Sequence, residues 1–192
     1  MTGNINVQRQ SRLYQTALSI KNNIYKLTHE SGLVRKKARE LLVEIGSPAV
    51  DYLVSFINHP VKTARWEAVK ALSEINDPDS APFLVNALED ESSEIRWMAA
   101  EGLAAMGAKG IWAVFEELII QPDSPFLRKG AHHVLTRMAE IYNDPELKEF
   151  QKILDASDAK LKIILKGKPF LRKIIKRIRA HENESDQLRN VL

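Results

Sequence analysis

The chain has 192 residues, 44% of them hydrophobic, and no cysteine. That is enough apolar material for a packed core, and it excludes a disulfide framework, a thiol nucleophile and any zinc site built on sulfur ligands. The net charge of +3 is unevenly spread: nine Lys and Arg and no acidic residue lie between Lys160 and His181, which leaves −6 for the remainder, and residues 41–124 hold 14 acidic residues against five basic ones.

The N-terminal stretch MTGNINVQRQSR has no apolar signal core, and no segment approaches the roughly 20 apolar residues of a membrane-spanning helix. The sequence therefore reads as a soluble, cytoplasmic chain. Within residues 1–30, Leu13, Ala17, Ile20 and Ile24 recur at helical spacing, which predicts a capping helix for the elements that follow.

From Val34 onward the sequence repeats. VRKKARELLVEIG, ARWEAVKALSEIN, IRWMAAEGLAAMG and LRKGAHHVLTRMA begin at Val34, Ala64, Ile95 and Leu127, at spacings of 30, 31 and 32. Four columns are shared: Arg35, Arg65, Arg96 and Arg128; Ala38, Ala68, Ala99 and Ala131; Leu42, Leu72, Leu103 and Leu135; Ile45, Ile75, Met106 and Met138. Each copy continues, after a Gly, Asn, Asp or Pro break, into a second apolar segment: DYLVSFI, PFLVNAL, WAVFEEL and KEFQKIL. In the first copy Val50, Leu53, Val54 and Ile57 share one side of that second helix. Each unit is thus a helical hairpin that cannot bury its stripe alone, and stacked neighbours can. The predicted fold is all-α, a right-handed α-solenoid of four hairpins over residues 31–61, 62–92, 93–124 and 125–157, with the small alanine column letting helices approach closely.

The pattern resembles the short HEAT-like repeats of phycobilisome lyases and many prokaryotic proteins, in which a polar turn precedes xVRxxAxxAL, a Gly and a Pro or Asp break; EDESSEIRWMAAEGLAAMG fits it best. The resemblance covers about two thirds of the chain. It implies that the repeat arginine pairs with an acidic residue of the preceding turn, as Asp90 before Arg96 could, whereas His29 and His59 occupy that place in the first two copies. It also implies an alternative role as accessory subunit of a bilin-lyase-like enzyme.

Residues 158–192 follow as a basic cap and polar tail. Gly167 is read as a helix stop and Pro169 as the first turn of a new helix. Phe170, Leu171, Ile174, Ile175 and Ile178 then form an apolar stripe, with Arg172, Lys173, Lys176, Arg177 and Arg179 around it. Three readings stand: a cap whose charges are solvated or face the acidic repeats, a nucleic-acid contact, or docking to an anionic membrane or acidic partner. Arg172, Lys173, Lys176 and Arg177 are the candidate contacts for an anionic partner. The last ten residues or so are read as frayed.

No catalytic, cofactor or metal motif occurs in the sequence. His132 and His133 are adjacent, about 100° apart on a helix, and cannot share a metal as an i, i+4 pair can. Glu67, Glu101, Glu116 and Glu117 read as solvated charge. A likeness to the HEAT-like alkylpurine DNA glycosylases is a minor alternative, set against the acidity of the middle repeats. In such stacks the second helices line the concave surface. Their residues turned from the core, Tyr52, Phe83, Asn86 and Glu116, with Trp112 on the flank, are the candidate partner-binding strip; the aromatics read equally as inter-repeat core. Trp66 and Trp97 share a first-helix column with Lys36 and Lys129 and are placed on the convex side as a fold feature and a possible secondary patch. The functional expectation is a non-catalytic scaffold or adaptor that binds a protein through its concave face.

Overall fold

A computed structural model of the chain describes residues 2–156 and 158–189, with side chains for 7–156, 158–160 and 162–183. Among the described residues it is all-α, with no strand, and none of its helices is long and apolar enough to cross a membrane. The helices are those of α-solenoid repeats, arranged in two compact units, Met1–Ser80 and Ala81–Leu192.

In the first unit, α1 (Thr2–Ile24) runs into a 3-10 turn, Tyr25–Thr28. Then come α2 (Gly32–Ile45), a 3-10 turn leading directly into the short α3 (Val50–Val54), and α4 (Lys62–Ile75). Helices α1 and α4 both pack on α2, and α3 packs on α4. The alanine column works as its spacing implies: Ala38 and Ala68 are buried, with Leu42 and Leu72 beside them in the core. The helices stop at residues that tolerate positive φ, Gly46 at 75° and Asn76 at 54°. The capping helix is present, but Leu13 is 63% exposed while Ile20 and Ile24 are buried. With 23 residues against the 14 of α2, α1 outruns its support by roughly 13 Å, so only its C-terminal half caps.

A buried ion cluster crosses from α2 to α4. Arg39 Nε donates to Glu67 Oε2 at 3.0 Å, Arg35 Nε lies 3.5 Å from Glu67 Oε1, and Arg39 also pairs with Glu74. The expectation that Glu67 is solvated is corrected: it is 5% exposed, because the helix pair brings two guanidinium groups over it and removes the need for water.

The second unit holds α5 (Ala81–Ala87), α6 (Ser93–Ala105), α7 (Ala108–Ile120), α8 (Pro125–Tyr142), α9 (Pro145–Leu154) and α10 (Ala159–Arg189). Helices α6 and α8 lie side by side as the first helices of successive hairpins, with α7 and α9 folded back on them. Gly110 marks the closest crossing, since a Cβ there would fall 1.8 Å from the Leu103 carbonyl oxygen. Glu101 is half-buried and not solvated as expected; His133 Nε2 and Arg137 Nε, one helical turn apart on α8, reach it at 2.6 Å and 3.1 Å.

The expected break at Gly167 is also corrected. Helix α10 is continuous, with Pro169 inside it, and it continues to Arg189 where fraying was expected; residues 190–192 lie outside the described residues. Proline removes one backbone bond, to the carbonyl four residues back at Leu165. Burial of Ile163, Leu171, Ile174 and Ile178 on both sides of the defect offsets that loss.

In the turns before α2, α4 and α6 the repeat arginine binds main-chain carbonyls. Arg96 Nη1 donates to the backbone carbonyls of Asp90 and Glu91 at 2.7 Å and 3.0 Å. Arg35 does the same to His29 and Glu30, at 2.8 Å and 2.9 Å, and Arg65 to His59 and Pro60, at 3.0 Å and 3.3 Å. The turn side chain accepts the N–H two residues on: Asp90 Oδ1 from Ser92, His29 Nδ1 from Ser31, and His59 Nδ1 from Val61. Imidazole and carboxylate are thus equivalent acceptors in this turn.

Candidate functional site

The second-helix face of the second unit carries most of the candidate strip. Helix α7 buries Ile111, Val114, Phe115 and Leu118, which leaves Trp112, 43% exposed, and Glu116 one turn apart on its open side. On α5, Phe83 is 37% exposed and Asn86 is exposed. In the first unit, Tyr52 is half-buried on α3.

Helix α10 packs against α7 and α9, and an aromatic cluster fixes it there. Phe150 of α9 stacks on Phe170 of α10 with centroids 4.0 Å apart, and Phe115 of α7 meets them at 4.8 Å and 5.7 Å. Beside this cluster, Arg177 binds Asp144 at 2.8 Å and Glu146 at 3.0 Å, and Lys173 binds Glu146 at 2.7 Å. These cations hold Glu146 below the usual glutamate range, Lys173 chiefly. A further tether forms at the start of α7. Tyr142 Oη donates to Glu182 Oε1 at 3.0 Å, and the Ala108 N–H points to the same oxygen at 3.4 Å. Burial and then the Glu182 carboxylate push the Tyr142 hydroxyl well above its ordinary range.

The candidate anionic contacts therefore divide. Lys173 and Arg177 are committed to carboxylates of the same unit. Arg172 and Lys176 face the other way, with Arg179 and Asn183 on the same stripe at i, i+4, i+7 and i+11. Together with Trp112, Ile175 and Ala180 they line a cleft of about 460 Å³. A second cavity of about 420 Å³ joins Glu116 and Glu117 of α7 to Pro82 and Val85 of α5 and Lys168 of α10. Trp112 and Glu116 are thus brought to the same α7 and α10 seam, but in different cavities, while Phe83 and Asn86 line neither. The sequence reading missed Arg179 and Asn183 as lining residues, although extending the helical period from Arg172 reaches both.

The two tryptophans of the first-helix column differ. Trp97 is 57% exposed and lies edge-on to His133 at 6.1 Å, whereas Trp66 is half-buried and not exposed as expected, its large ring body covered and its column position unchanged. His132 and His133 have separate partners, Asp155 at 3.5 Å and Glu101 at 2.6 Å.

Comparison with known proteins agrees with these repeats. The family described as HEAT repeats matches residues 20–94, and the single HEAT repeat matches residues 81–109. Among solved structures, the complex of CpcE and CpcF of phycocyanin lyase from Nostoc sp. PCC7120 is similar with a TM-score of 0.54 and 21% identity, covering 78% of this chain and 98% of that one. A crystal structure of an engineered protein gives a TM-score of 0.44 at 20% identity, covering 84% of this chain and 79% of that one. No curated protein sequence matches the chain. With its four-column repeat, its stacked helical hairpins and these matches over residues 20–109, the chain is a HEAT-like repeat protein.

Proposed function

We propose that this protein is a non-catalytic scaffold or adaptor that binds a protein partner through the second-helix face. The observation that carries the reading is the open row of the second unit: Trp112 and Glu116 on α7 and Phe83 and Asn86 on α5 remain exposed, as does Ile120 of α7, although Ile111, Val114, Phe115 and Leu118 of α7 and Leu84 and Val85 of α5 are buried. Exposed aromatic side chains on a rigid helical surface supply contact area at small entropic cost. Tyr52 is the corresponding residue of the first unit. Pull-down from the native cell with the full chain, read by mass spectrometry, tests this: a reproducible protein partner supports it, whereas turnover of a small molecule without a bound protein contradicts it.

The likeness to the CpcE and CpcF complex favours a second reading, an accessory role beside a bilin-handling enzyme. Pigment retained on purification from a bilin-producing cell supports this alternative, and a colourless preparation from the same source removes it. Nucleic-acid binding through α10 is less favoured, because Lys173 and Arg177 are already neutralised by Asp144 and Glu146.

A further inference from the structure

Helix α10 presents three unlike stripes. Leu171, Ile174 and Ile178 are buried. Lys173 and Arg177 are ion-paired with Asp144 and Glu146. The third stripe, Arg172, Lys176, Arg179 and Asn183, opens on the Trp112 cleft, and its three cations have no anionic partner among the described residues. Three unneutralised cations converging on an indole and the buried side of Ile175 form a surface that attracts negative charge and offers one apolar anchoring point.

We infer that this cleft takes an acidic peptide segment of a partner protein, one apolar side chain seated against Trp112 and its carboxylates paired with Arg172, Lys176 and Arg179; this rests on the protein-binding reading above. Two observations select a peptide over a uniform polyanion. From Arg172 to Arg179 the row spans only about 10 Å of helix, which reaches few phosphates of a duplex and a small part of a lipid surface. Along the same α7 and α10 seam the next cavity carries Glu116 and Glu117 with Lys168, so a ligand that continues past Trp112 meets carboxylates. A phosphate backbone or an anionic membrane is repelled there, whereas a peptide changes charge from one residue to the next.

The test is fluorescence anisotropy with the full chain and a labelled short peptide of Asp, Glu and Leu. Its Asn, Gln and Leu counterpart, a single-stranded oligonucleotide, a duplex, and vesicles containing phosphatidylglycerol are run alongside. The acidic peptide binds in preference to the others. R172E/K176E/R179E and W112A each weaken it by about tenfold or more, and the milder R179Q, at the exposed end of the row, weakens it in the same direction. K148E, which reverses an exposed cation of α9, leaves binding unchanged. The inference is overturned if K148E weakens the peptide as much as the cleft variants do, if the cleft variants leave it intact, or if nucleic acid or vesicles are preferred. Should the peptide fail while a protein captured through Phe83 and Asn86 is retained, this inference falls and the scaffold reading stands; capture of no protein from the native cell removes the scaffold reading itself.

Discussion

Arg96 holds the backbone carbonyl of Asp90 at 2.7 Å, fastening the main chain of the turn and leaving the carboxylate to accept the Ser92 N–H. The same division of labour at Arg35 and Arg65 makes the turn indifferent to whether its acceptor is a carboxylate or an imidazole. His29→Asp is therefore expected to be close to neutral, whereas His29→Ala leaves the Ser31 N–H without its acceptor and costs about 1 kcal/mol. Urea denaturation of the two variants beside the wild type measures this; equal losses would show that the imidazole contributes by something other than its Nδ1 acceptor.

Glu67 is a buried carboxylate held between Arg35 and Arg39 in the first unit. Removing it leaves Arg39 with Glu74 alone and Arg35 without an anion, so Glu67→Ala is expected to cost on the order of 3 kcal/mol. Replacing the pair together, R39M/E67L, is expected to recover the part of that loss that comes from Arg39, because an apolar pair of similar volume needs no charge compensation, while Arg35 stays without its anion. A double-mutant cycle on the denaturation midpoints separates the coupling from the two single effects.

The carboxylate of Glu146 links acidity to the attachment of α10. Its pKa is lower folded than unfolded, with Lys173 the first cause, so its contribution is present above the usual glutamate range and is lost as pH falls through the folded value. Hydrogen exchange of the α10 amides is expected to quicken as pH drops through that window, after correction for intrinsic exchange. E146Q is expected to show faster α10 exchange already at neutral pH and a flatter response to acid. An unchanged acid response in E146Q would assign the effect to another group.

The fold was legible because it depends on columns: arginine, alanine, leucine and a long aliphatic residue at fixed offsets leave one helical solution, and the hairpins follow. What escaped had a shared cause, namely that periodicity reports which face of a helix is apolar and not what lies opposite. Glu67 and Glu101 read as solvated since their partners, Arg39 and Arg137, sit 28 positions before and 36 after them. Gly167 and Pro169 carry a strong local signal for a break, yet the aromatic cluster of Phe115, Phe150 and Phe170 overrides it through tertiary packing. The candidate strip follows from the roughly 100° turn per residue, but its division into an acidic cavity and a cationic cleft depends on the position of α10.

Tyr52 and Phe83 hold equivalent places in the repeat with unequal cover. Phe83→Ala is expected to cost less stability than Tyr52→Ala, since the Phe83 ring is 37% exposed and the Tyr52 ring is half-buried. Thermal melting of both variants checks the contrast. A large loss in F83A would make that ring part of the core and remove it from the binding face.

The most direct measurement of the central claim is quantitative mass spectrometry of pull-downs from the native cell, comparing wild type with F83A/W112A after both have been shown to melt alike. The scaffold account predicts a protein recovered by the wild type and depleted by about tenfold or more in the double variant. Equal recovery of the same proteins by both, or recovery of none by the wild type, would contradict it.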